Sequence, residues 1–219
     1  MSSTPQQLKN RVTTDLEAGK QAFQDAMTKA QSQIDVADAE VDKLRAAFKT
    51  QSDEVKAKTL ARVDELTKSL EATRREQHAA IEARLKELHS AIESTNADLK
   101  HATAETKVAM EATARALRAE YDSARRALTA SLDAELAECK ALIGMAVDVA
   151  AGKKAAATAS VHAKIADLRA KQEAAQKKLH ALKDANEAAF GELHQGVRTA
   201  IADVKTSVQR ARAEIGARS

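Results

Sequence analysis

The residue types that could carry chemistry are present but badly spaced for it. The six histidines are His78, His89, His101, His162, His180 and His194. Two metal ligands share one helical face when they stand three or four residues apart, and no two of these do. His78 and His89 share a face, but eleven residues put them about 16 Å apart along a helix axis, too far to hold one ion. Solvated or rim positions are expected for all six. Gly144, Gly152 and the pair Lys153-Lys154 lack the spacing of a nucleotide-phosphate loop and read as a turn. Cys139 has no second cysteine to pair with. It stands four residues before Ile143 and reads as a small buried apolar residue, with a disulfide to a second copy under oxidation as the lesser alternative. Carboxylate pairs such as Asp53-Glu54 fall on a polar face with no pocket to shift their pKa. The expectation is a protein that is not an enzyme, with no catalytic residue, metal or cofactor.

What remains is the elements themselves. Aromatic residues are 2% of the 219, limited to Phe23, Phe48, Tyr121 and Phe190, so a thick core built on large rings is not expected. About fifty residues are Ala, the best helix former, and charged residues of both signs make up 31%. Pro5 is the sole proline and there are six glycines, so few turns and long helices follow. The composition is that of long helices or coiled coils, and predicts more than about 85% helix.

The apolar residues step by three and four from Leu8 through Val12, Leu16, Phe23, Met27, Ile34 and Val41. Gly19 interrupts them as a weak point, a kink or a close approach. Stepping by eleven from Leu44 then gives Val55, Leu66, Gln77, Leu88, Leu99, Met110, Tyr121, Leu132 and Ile143, with only Gln77 out of type. A second column runs Phe48, Thr59, Leu70, Ile81, Ile92. Eleven residues in three turns is about 3.67 per turn, close to the natural helix, so such a seam runs nearly straight. The phase passes through Gln51-Ser52-Asp53 and Ser94-Thr95-Asn96, which are therefore read as exposed helical positions. The expected architecture is all-α: a frayed start over 1–6, one very long amphipathic helix over 7–148, about 210 Å long, a break over 149–156 at Gly152, and a shorter helix over 157–216, together an elongated coiled coil. An antiparallel helical bundle with phase-preserving loops is the alternative.

After the break the spacing becomes seven. One column is Val161, Leu168, Ala175, Leu182, Ala189, and the other Ile165, Gln172, Leu179, Asn186, Leu193. Beyond Leu193 it slips by four, with Gly191 and Gly196 flanking the slip. Asn186 is read either as a polar seam residue that fixes register or as a rim position.

Residues 1–150 carry 22 Lys and Arg against 25 Asp and Glu, and residues 151–219 carry 13 against 7. That asymmetry suits docking of the tail on the body, or an anionic partner, with a solvated face as the plainest reading. One stacking residue, Phe190, and diluting acids make nucleic acid an unlikely partner. No apolar run reaches the 18 or so residues of a membrane span, and no apolar segment follows the first residues as a signal peptide requires. A soluble, cytoplasmic protein is the expectation.

The eleven-residue amphipathic period over Leu44 to Ile143 resembles that of the exchangeable apolipoproteins. That resemblance implies reversible coating of a lipid, granule or particle surface. The chain departs from it in lacking punctuating prolines and in its narrow stripe, as in Leu85-Lys86-Glu87-Leu88-His89-Ser90-Ala91-Ile92, which suits another helix better. The first expectation is therefore a structural or interaction protein, a homo-oligomeric rod, tether or filament subunit. Its association seam would be Leu44, Val55, Leu66, Leu88, Leu99, Met110, Tyr121, Leu132 and Ile143, continued by Val161, Ile165, Leu168, Leu179 and Leu182. A shorter second helix could not cover this stripe alone, so another chain is expected to.

Overall fold

The structure, a computed structural model, describes residues 5–48, 53–152 and 159–217. It is all-helical, with 96% of the described residues in helix and no strand among them. Five helices follow one another: α1 (Pro5–Phe48), α2 (Asp53–Leu99), α3 (Ala104–Gly152), α4 (Ala159–Lys183) and α5 (Glu187–Ala217). Pro5 opens α1, where its missing N–H costs no hydrogen bond.

The very long helix over 7–148 is not formed. Three helices of 44, 47 and 49 residues take its place. Residues 49–52, with Gln51 and Ser52, lie outside the described set. Ser94, Thr95 and Asn96 are helical, and the chain leaves α2 just beyond them, at residues 100–103. There Lys100 N–H donates to Ala97 O at 3.2 Å and His101 N–H to Asp98 O at 3.0 Å. Thr103 O then accepts from Lys107 N–H at 2.9 Å as α3 begins. Lys100-His101-Ala102-Thr103 contains none of the Gly, Pro or Asn that usually marks a turn. An unbroken period in residue type therefore did not require an unbroken helix. The column's members beside the connectors betray the break: Val55 is 43% exposed, and Leu44, Leu99 and Met110 are only half-buried.

The helix expected over 157–216 is also two. Residues 184–186 separate α4 from α5, and Asn186 is neither a seam nor a rim residue but the cap of α5. Its Oδ1 accepts from Ala189 N–H at 3.0 Å and its carbonyl from Phe190 N–H at 3.1 Å. Within α5 the buried positions Phe190, His194, Val197, Ile201, Val204, Val208 and Ala211 step by four and three without interruption. The apparent slip is thus a fresh heptad one residue out of phase with that of α4, set at the turn and not by Gly191 or Gly196. α3 ends at Gly152 and α4 begins at Ala159. Residues 153–158, and so most of the expected break, lie outside the described set.

The chain divides into two compact units, residues 1–125 and 126–219. The first holds α1, α2 and the opening turns of α3. α1 and α2 form an antiparallel pair around Ile34, Val41, Leu66 and Leu70, with Ala37 and Leu44 packed against them. Connectors this short make consecutive helices antiparallel neighbours. The second unit holds the rest of α3 with α4 and α5. Ala150 of α3 meets Val161 of α4, with Val149 and Ile165 packed against them. Lys171 of α4 donates to Ser207 of α5 at 2.9 Å.

The periods differ from helix to helix. Along α2 the buried positions Thr59, Val63, Leu66, Leu70, Arg74, Gln77, Ile81, Leu85, Leu88 and Ile92 make a repeating four-three-four that sums to eleven, with Thr67, His78 and Arg84 buried beside them. Along α3 they step three and four to Ala124 and then by fours through Leu128, Leu132 and Leu136, and from Glu135 onward a second row, with Glu138, Cys139 and Leu142, is buried beside them. That change of step falls where the two units meet in sequence.

Candidate functional site

The candidate surface is the seam, and its residues divide by position. Leu66, Leu88, Tyr121, Leu132, Ile143, Val161, Leu168, Leu179 and Leu182 are buried. Leu44, Leu99, Met110 and Ile165 are half-buried, and Val55 is exposed. The chain's own helices thus cover most of the stripe. One long helix with a single shorter helix to cover it is not what forms: within the first unit α1 and α2 pack their stripes on each other.

Burial in this interior is not only apolar. α2 turns Arg74, Gln77, His78 and Arg84 inward, each no more than 3% exposed. An arginine so placed needs a carboxylate to offset the loss of water around its charge. Arg74 Nη2 donates to Asp38 Oδ2 of α1 at 3.1 Å. Arg84 Nε donates to Glu120 Oε1 of α3 at 3.0 Å, and its Nη1 to Glu87 Oε2 at 2.6 Å. One helix therefore sends one arginine to each neighbour. Burial raises the Asp38 carboxyl above the ordinary aspartate value, and the Arg74 charge only partly offsets it.

Gly19 is where α1 makes room for this arrangement. A Cβ on Gly19 would lie 2.9 Å from Arg84 Nη1 and 3.1 Å from Glu87 Oε1. Of the readings open to Gly19, close approach is the one the structure bears out. Beside it a groove of about 690 Å³ runs between α1 and α3, with Lys20 and Phe23 on one wall, Leu117 and Glu120 on the other, and Arg84 among its lining residues. Glu17 and Glu120 balance Lys20 and Arg84 in charge.

The second unit uses the same device once. Lys205 of α5 donates to Glu135 Oε2 of α3 at 2.8 Å, with side chains 10% and 12% exposed. Burial pulls the Lys205 amine down, but the charges of Glu135 and Glu138 outweigh it and its pKa stands above the ordinary lysine value. Cys139 is fully buried beside this pair, out of reach of a second copy's thiol unless the unit opens. Other cations of the basic tail are also engaged. Lys164 pairs with Glu214, Lys171 with Asp167, Lys177 with Glu173, and Lys183 with Asp133 of α3. Of these pairs, Lys164–Glu214 joins α4 to α5 and Lys183–Asp133 joins α4 to α3, while Lys171–Asp167 and Lys177–Glu173 lie within α4.

No family model matches the chain, and neither a characterised protein nor a solved structure is similar to it.

The histidines depart from expectation at two places. His78 and His194 are buried, at 3% and 4% exposure, and His194 stacks on Phe190 with ring centroids 6.3 Å apart. His101, His162 and His180 are exposed. His89 lies 3.4 Å from Glu93 and its ring faces Tyr121 at 6.5 Å. Among the described residues no three His, Cys, Asp or Glu side chains are gathered as metal ligands would be, and no helix is long and apolar enough to cross a membrane. The buried arginines escaped notice in the sequence because an arginine inside a helix is usually solvated. For Arg74 a signal was there, since Val63, Arg74 and Leu85 form a third column of step eleven parallel to the two apolar ones, whereas Arg84 lies outside all three.

Proposed function

We propose that the chain is a structural or interaction protein that works by helix–helix association and not by chemistry, and that copies of it associate. The observation that carries the reading is the use made of the buried charges. Arg74, Arg84 and Lys205 are each spent on a carboxylate of another helix in the same unit, so the groups that could be poised for a reaction serve to specify which helices pair. Buried charge of this kind adds little stability over an apolar pair but penalises a wrong partner or register. Because the seam faces inward, association between copies takes the form of exchange: a helix that opens at a short connector rebuilds in a second copy the contacts it left. Coating of a lipid or granule surface is the weaker reading, because the face α2 would lay on lipid carries Arg74, Gln77, His78 and Arg84.

Light scattering coupled to size exclusion tests this. The expected mass at tens of micromolar is a multiple of the 23.5 kDa chain, falling towards one chain on dilution. A mass of one chain at every concentration would overturn self-association. Flotation with liposomes by such a monomer would transfer the weight to the coating reading.

A further inference from the structure

We draw no further inference here: the strongest candidate, the groove between α1 and α3 beside Arg84 in the first unit, balances Glu17 and Glu120 against Lys20 and Arg84 in charge, and nothing in the structure shows what covers it.

Discussion

The two units use one fold element, the amphipathic helix, with different arithmetic. In the first, α2 repeats every eleven residues, close to the natural pitch, and its inward face keeps arginines among its leucines. In the second, α5 repeats every seven, and its inward face is Phe, Val, Ile and Ala with one histidine and one lysine. An eleven-residue repeat offers three inward columns rather than two. In α2 the third column is where Arg74 stands, between Val63 and Leu85, and it reaches Asp38 of α1. A seven-residue repeat has no third column, and Lys205 enters beside Val204, at the margin of the stripe. The difference teaches that a longer repeat widens the inward face of a helix and admits a long polar side chain among its apolar columns, and that this property belongs to each helix separately.

That comparison can be broken most severely inside the eleven-residue column. Leu88 and Val55 belong to it alike, but Leu88 is fully buried and Val55 is 43% exposed. Leu88→Ala should cost about 2–5 kcal/mol of unfolding free energy. Val55→Ala should stay within about 0.5 kcal/mol. Urea denaturation of both variants decides it, and equal losses would mean the column is one continuous buried face after all.

A smaller effect separates the units through glycine. Replacing a helical glycine by alanine ordinarily gains about 0.5–1 kcal/mol. Gly191→Ala, in α5, should show that gain, since nothing lies within 4 Å of the added carbon. Gly19→Ala should instead lose about 1–2 kcal/mol. The added carbon would meet Arg84 Nη1, a side-chain end that Glu120 and Glu87 hold in place. Thermal midpoints moving in opposite directions confirm the contrast. A stabilised Gly19→Ala would show that Arg84 yields freely.

The smallest effect is in the pH dependence of the second unit. The folded-state pKa of Lys205 is raised, so its contribution is fully present below the unfolded lysine value of 10.5 and is lost as pH rises through the folded value. Wild type should therefore weaken in that alkaline window relative to Lys205→Arg, whose side chain keeps its charge there. Parallel curves of urea midpoint against pH would show that Lys205 is not linked to folding.

The helical class was legible from alanine content and the lone proline, because both act locally. Most of the interior was legible too, since Leu66, Leu88, Tyr121 and Leu132 lie on a stripe that any helical partner would cover. The connectors were not. Lys100-His101-Ala102-Thr103 is made of residues at home in a helix, and the contacts that accompany its turn, such as Arg84–Glu120 between α2 and α3, are distant in sequence. Asn186 carried a turn signal of its own but also fell on a seven-residue column, and the column was the weaker guide. In α3, Leu128, Leu132 and Leu136 changed the step without any change of residue type, so type alone could not reveal it.

The central claim is that one chain folds back on itself to cover its own stripe. Spin labels at Gln24→Cys and Ala79→Cys, in a Cys139→Ser background, test it most directly. Both sites are exposed, on α1 and α2, and the contact of Gly19 with Arg84 sets the register that brings them level. Pulsed electron resonance on the fraction of single-chain mass should give a distance under about 35 Å, an interhelical spacing of about 10 Å plus the label arms. An unbroken helix would hold the same 55-residue separation about 80 Å apart, and a distribution centred there would contradict the account.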